Sequence, residues 1–242
     1  MDALITAAGL GTRARLPINM RKEMLPIYSL RNGEIVLRPM LDSIIYNLST
    51  CGIKKFVVVL NKDDHSTENY LKSLDYKIEF VYQQSPAGYG NAVRMGADYF
   101  HSDFILNAGD GLILDIDITR KAIETHDNTG DGILALMKVK HPENYGVATL
   151  SGKRIINIVE KPEVPESHYA LAAFYILNPE LFKYIDTAEL TPAISMLIND
   201  GYKMVPFKIR PYNWVSIGRS DEYYKILKRT YMHYKNLSEN IK

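Results

Sequence analysis

A single cysteine, Cys51, stands in a chain of 242 residues, which excludes an intrachain disulfide and any zinc cluster built from thiolates. Apolar runs such as Phe56-Val57-Val58-Val59-Leu60 fall far short of the roughly 20 residues that a membrane-spanning helix needs. Charge of one sign is also lacking: 29 basic residues face 28 acidic ones, a net charge of +1, so there is no global case for nucleic acid or an anionic membrane as partner. Met1-Asp2-Ala3-Leu4 carries no basic region ahead of an apolar segment, and the expected compartment is the cytoplasm. Neither a Gly-x-Ser-x-Gly elbow nor a His-Glu-x-x-His pair occurs, and the six histidines show no ligand spacing, which removes the common serine and zinc hydrolase patterns. What remains is an ordinary globular composition, 46% apolar and 24% charged. Tyrosines cluster near the C-terminus, at Tyr223, Tyr224, Tyr231 and Tyr234, as expected of a packing or subunit face.

Against this background one segment is distinctive. The short apolar run Ala3-Leu4-Ile5 leads into Ala7 to Ile27, AAGLGTRARLPINMRKEMLPI, with two early glycines, then Arg13, Arg15, Arg21 and Lys22, and no carboxylate before Glu23. Gly9 and Gly11 let the main chain curl and aim its amides at an anion. Arg13 supplies a bidentate fork and Lys22 a mobile point charge, the complement of a polyphosphate. No Gly-Lys-Ser/Thr follows the first strand, so the loop is not a P-loop. Gly9-Leu10-Gly11-Thr12-Arg13-Ala14 formally satisfies the dinucleotide fingerprint, but that motif needs a helix running straight on, and Pro17 argues against one. A nicotinamide or flavin oxidoreductase is a rival reading on that ground.

Short β-branched runs at residues 3–7, 55–60, 77–82 and 103–108 alternate with helical patterns near 39–51, 65–74, 88–100 and 118–127. This alternation predicts βαβ units and a mainly parallel, Rossmann-like sheet flanked by helices, with ligands at the carboxyl ends of the strands. The second half differs: 133–139, 146–150, 154–159 and 171–177 read as strands, with a hairpin at Ser151-Gly152-Lys153. Helices near 179–185 and 190–200, a strand near 203–209 and a helix from about 221 to 237 complete the expectation. No linker or repeat separates the halves. The reading is one α/β domain over 1–242, with a parallel-sheet half at 1–130 and a β-rich half plus C-terminal helix at 131–242.

With these residues in view the chain resembles the sugar-1-phosphate nucleotidyltransferases. GLGTR followed by Lys22-Glu23-Met24-Leu25-Pro26-Ile27 is most similar to the UTP–glucose-1-phosphate uridylyltransferases, with the glucose-1-phosphate thymidylyltransferase branch next. Further matches follow in family order: Gln83 to Ala92, Gly109-Asp110, Tyr145-Gly146-Val147, Glu160-Lys161-Pro162 and Trp214 to Gly218.

The resemblance implies a nucleotide-diphospho-sugar transferase-like fold, with a nucleotide-binding half at 1–130 and a sugar-binding half at 131–242, and a reaction in which UTP, or dTTP, and a sugar 1-phosphate form a nucleotide-sugar and pyrophosphate. It implies that Ala8, Gly9, Gly11 and Thr12 hold the triphosphate, with Arg13 on the leaving pyrophosphate and Lys22 between the α-phosphate and the sugar phosphate. Asp110 would hold Mg²⁺, a hard cation suited to carboxylate and phosphate oxygens. Gln83 and Gly88 would read the uracil or thymine edge, and Tyr145, Gly146, Glu160 and Lys161 would line the sugar site. A homo-oligomer is expected by the same analogy. The chain also departs from the pattern. Ser216 stands where a second metal-binding aspartate is expected, Arg21 replaces a proline, Ala173 a sugar-side glycine and Pro192 an aspartate. Ser216 motivates a further alternative, a nucleotide-sugar binding protein without turnover.

Overall fold

The computed structural model describes residues 1–17, 20–85 and 87–241, and the side chains of all of these except Arg13, Asn240 and Ile241. In chain order its elements are β1 (Ala3–Ala7), β2 (Pro26–Arg31), β3 (Glu34–Pro39), α1 (Met40–Thr50), β4 (Lys55–Asn61), α2 (His65–Lys72), β5 (Lys77–Gln83), α3 (Gly88–Arg94), β6 (Phe104–Ala108), β7 (Gly111–Ile113), α4 (Ile116–Thr129), β8 (Gly132–Lys138), β9 (Gly146–Ser151), β10 (Arg154–Glu160), β11 (Tyr169–Leu177), α5 (Thr191–Asn199), β12 (Met204–Ile209), β13 (Trp214–Ser216) and α6 (Tyr223–Ile241).

β1, β4 and β6 are almost wholly buried, which explains why their sequences are continuous in apolar residues instead of alternating. Successive β1 side chains point to opposite faces. Ala3, Ile5 and Ala7 join a core with Met40, Ile44 and Leu48 of α1, Ala122 of α4 and Ile226 of α6, while Leu4 joins a second core with Val93 of α3 and Ile194 and Leu197 of α5. The helices thus cover both faces of one sheet. None of the described helices is long and apolar enough to cross a membrane.

Among the described residues the sheet has nine strands. β6, β1, β4 and β5 run parallel side by side. β11 then joins this parallel group to the second half, pairing antiparallel with β6 through Phe174–Leu177 and with β8 along most of its length. Nearer its start, Ala170 of β11 pairs with Val147 of β9 instead. The sheet therefore forks along β11, with β6 on one prong and β9 and β10 on the other. The β11–β8 register shifts between Leu171 and Tyr175, at the fork.

Two sequence expectations need adjustment, and two paired elements are additions to them. The helix expected to reach residue 100 ends at Arg94 and is followed by a separate 3-10 turn, Ala97–Tyr99, because Gly96 interrupts the pattern. The segment at Pro179–Tyr184 is 3-10, not α. The β2–β3 hairpin and the two-stranded ribbon of β7 and β13 were not expected at all.

Candidate active site at the carboxyl ends of the parallel strands

From β1 the chain proceeds outward to β4 and β5, then returns to place β6 on the other side of β1. Strand order reverses between β1 and β6, so a crevice opens outside their carboxyl ends. The glycine loop follows β1 and Gly109-Asp110 follows β6, and the two are tied where the Gly109 amide donates to the Thr6 carbonyl at 2.8 Å. A cavity of about 380 Å³ occupies this position, lined by Thr6, Ala8, Gly9, Lys22, Glu23, Gln83, Gly88, Tyr89, Ala92, Ala108, Asp110 and Ala173.

Lys22 and Asp110 are in direct contact there, the ammonium donating to Oδ2 of the carboxylate. Glu23 lies behind them, 3% exposed, its Oε1 3.9 Å from the Lys22 ammonium. Its Oε2 is buried with no hydrogen-bond partner among the described residues. Burial pushes the Glu23 carboxyl up to about 8; Lys22 pulls it down and the Asp110 charge pushes it further up. At neutral pH Glu23 is therefore mainly protonated, and the charged groups facing the cavity from this corner are the Lys22 ammonium and the Asp110 carboxylate.

Gln83 closes β5 and is buried, with its amide nitrogen donating to Asn91 Oδ1 at 2.8 Å. That bond fixes the amide orientation and leaves the carbonyl oxygen available to accept. Gly88 begins α3 at φ +92°, and a Cβ there would lie 2.5 Å from the Ala188 carbonyl oxygen, so only glycine fits. The loop at 187–189 in this way seats the start of α3 against the second half of the chain.

The residues expected to bind a sugar converge on a neighbouring cavity of about 270 Å³ at the β9 prong, whose lining includes Tyr145, Gly146, Glu160, Lys161, Glu189 and Thr191. Glu160 is held from two sides, by Lys161 Nζ at 2.9 Å from Oε1 and by the Thr191 hydroxyl, which donates to Oε2 at 2.6 Å. Lys161 sits at φ +42°, and its amide donates to the Tyr145 carbonyl at 2.9 Å. Its hydrogen bond to Glu160 raises the Lys161 pKa, so it stays charged. A Cβ on Gly146 would meet Leu171 at 2.8 Å and Thr191 Oγ1 at 3.0 Å. Tyr89 and Ala173 line both cavities, which therefore share a wall at the β11 fork.

Other expected residues fall elsewhere. Gly11 adopts φ +63° and faces the Lys22 stem. Thr12 opens onto a separate hollow with Arg15, Arg219, Ser220 and Asp221. The Arg13 backbone belongs to a 3-10 turn, Thr12–Ala14, while its side chain is outside the described atoms. That turn is followed by another at Lys22–Met24 and not by the long helix a dinucleotide fingerprint requires. Ser216 is exposed at the end of β13, in register with Gly111 and one residue before Ile217, whose amide donates to the Asp110 carbonyl at 2.9 Å. Among the described residues no three His, Cys, Asp or Glu side chains gather around one point. Glu23, Tyr89, Glu189 and Thr191 were not expected; each is an ordinary residue type, and only the fold brings it to the cavities.

Comparison with known proteins agrees with this architecture. Residues 2–232 match the nucleotidyl transferase family. The bifunctional protein GlmU of Methanococcus aeolicus is 31% identical over 229 residues, covering 90% of this chain and 52% of that protein. The low-salt glycan biosynthesis nucleotidyltransferase Agl11 of Haloferax volcanii is 27% identical over 240 residues, covering 92% of this chain and 64% of that protein. The chain thus spans about half to two thirds of the length of these relatives. The UTP-bound UGPase of Acinetobacter baumannii superposes with a TM-score of 0.80 at 22% identity, covering 100% of this chain and 99% of that one, a likeness of fold. The family match over residues 2–232, on a sheet that reverses order beside a glycine loop, places this protein in the nucleotidyl transferase family.

Proposed function

We propose that this chain transfers a nucleotidyl group from a nucleoside triphosphate to a sugar 1-phosphate, and that its substrates are UTP and glucose 1-phosphate. The observation that carries the reading is the pair of cavities meeting at Tyr89 and Ala173, one with Lys22 and Asp110 on its wall and the other with Glu160 and Lys161. In the reaction an oxygen of the anomeric phosphate attacks the α-phosphorus, and the bond to the β-phosphate breaks to release pyrophosphate. A phosphate monoester has its second pKa near about 6, so the nucleophile is charged at neutral pH and needs no base. The demand is for cationic relief as two anions approach, which Lys22 supplies at the cavity wall. Arg13 is assigned to the leaving pyrophosphate.

Asp110 suits a phosphate-borne Mg²⁺, since that ion typically takes one or two carboxylates and fills its remaining positions with phosphate oxygens and water. When bound, the ion offsets charge on the phosphate oxygens. The Gln83 carbonyl and the backbone at Gly88 address the base edge, and Glu160, with Gly146 and Tyr145 beside it, accepts from sugar hydroxyls while Lys161 faces the sugar phosphate.

The test is pyrophosphate release with Mg²⁺ and glucose 1-phosphate, comparing UTP, dTTP, CTP, GTP and ATP. Release with UTP is expected; release with dTTP in its place moves the assignment to the thymidylyl branch. A second reading, nucleotide-sugar binding without turnover, is favoured by Ser216 alone. It predicts tight UDP-glucose binding with no pyrophosphate release at any Mg²⁺ concentration, and release restored by Ser216→Asp.

A further inference from the structure

Tyr89 lies on the wall that the two cavities share. Its hydroxyl is buried and has no hydrogen-bond partner among the described residues. Thr6 and Asp110 are the polar side chains that act on it, Asp110 through its charge. A buried hydroxyl without a partner is destabilising, so one retained at a ligand cavity points to a bond made with the ligand. Burial, reinforced by the Asp110 charge, keeps the phenol protonated well above neutral pH, and the group is a donor.

Position and charge narrow what it meets. On the proposed transferase reading the sugar's anomeric end falls at the junction of the cavities, with the phosphate toward Lys22 and the C2 substituent beside it. The C2 oxygen flanks the anomeric carbon and is a neutral acceptor, a fit for a phenol that donates. Resting on the proposed transferase reading, we infer that Tyr89 is a specificity-determining residue whose hydroxyl donates a hydrogen bond to the C2 oxygen of the sugar 1-phosphate. The chain then prefers sugars bearing an oxygen at C2 over their 2-deoxy counterparts.

The experiment compares glucose 1-phosphate with 2-deoxyglucose 1-phosphate in pyrophosphate release with UTP, for wild type and Tyr89→Phe, and titrates UDP-glucose into both proteins by calorimetry. Wild type is expected to favour glucose 1-phosphate by about tenfold in kcat/KM, about 1.4 kcal/mol. Tyr89→Phe should lose that preference through a raised KM for glucose 1-phosphate, with KM for UTP unchanged and UDP-glucose bound about tenfold more weakly. The ring is retained, and a thermal melt reports whether the variant folds; if it does not, Tyr89→Leu takes its place. Equal use of the two sugars by wild type overturns the inference while leaving the transferase reading intact, as does a variant that keeps the preference. A wild type that neither releases pyrophosphate nor binds UDP-glucose overturns both.

Discussion

Lys22 and Asp110 come from loops 88 residues apart and meet in a hydrogen bond from the ammonium to Oδ2, each side chain only partly exposed, at 16% and 24%. The contact joins the loop after β1 to the loop after β6 across the crevice where strand order reverses. On the proposed reading a phosphate entering the cavity shares Lys22 with Asp110, and the contact orients the lysine before any substrate arrives. Such preorganisation is what makes a cation effective at a developing charge.

Lys22→Ala should therefore lower pyrophosphate release by about 100-fold or more. Arg38→Ala is the matched control: this exposed arginine on β3 lies 3.9 Å from Asp42 and away from both cavities, and its loss should change the rate by less than about twofold. Steady-state kinetics on the two variants decides the matter, and comparable losses would refute the assignment of Lys22.

Glu23 gives a prediction about pH. Its pKa is raised from 4.5 to about 8 in the folded chain, chiefly by burial. Between those values the folded protein holds a proton that the unfolded chain releases, so the contribution of Glu23 to stability is greatest below pH 4.5, falls by about 1.4 kcal/mol per pH unit as pH rises, and levels off above about pH 8. Glu23→Gln is neutral throughout and keeps nearly the same shape. Its melting temperature should match wild type near pH 4.5 and exceed it increasingly up to about pH 8. Parallel melting profiles for the two proteins would show that Glu23 ionises normally.

Much of the fold was legible because its strands and helices carry the periodicity their environments demand. The buried strands β1 and β4 read as apolar runs, and the hydrophobic spacing of Met40, Leu41, Ile44, Ile45 and Leu48 marks the inward face of α1. The β2–β3 hairpin carried a usable signal that went unread, an Asn32-Gly33 turn with φ of 51° and 83°. β7 and β13 had none, being three residues each. At the candidate site, motif residues such as Lys22, Gln83 and Asp110 stood out by pattern. Glu23, Tyr89 and Thr191 did not, because their significance lies in burial, an unpartnered oxygen or a contact made across the fork, and none of these has a local spacing.

Thr191 illustrates the last case. Its hydroxyl donates to Glu160 Oε2 at 2.6 Å across 31 residues of sequence, holding the carboxylate on the wall of the cavity proposed for the sugar. Thr191→Val keeps the β-branched shape and removes a hydrogen bond to a charged acceptor, worth about 1.5–3 kcal/mol. KM for the sugar phosphate should rise by about tenfold or more while KM for UTP stays within about twofold. An equal rise in both would mean that Thr191 supports the fold of α5 and not the sugar site.

Gly88 tests the seam between the two halves. Its φ of +92° is a conformation that side chains rarely adopt, and a Cβ would press to 2.5 Å from the Ala188 oxygen and 2.8 Å from its Cα, both backbone atoms that cannot swing aside. The neighbouring Gly90 amide donates to that same Ala188 oxygen at 2.7 Å, so relieving the clash means losing a hydrogen bond that seats α3. Gly88→Ala is accordingly expected to destabilise by about 2 kcal/mol or more, which for a chain of this size lowers the melting temperature by about 4–8 °C. Because Gly88 also lines the cavity proposed for the nucleotide, the variant should bind UTP more weakly even at temperatures where it is fully folded. Calorimetric melting and UTP titration on the same preparation separate the two effects; an unchanged melting temperature would show that the 187–189 loop yields freely.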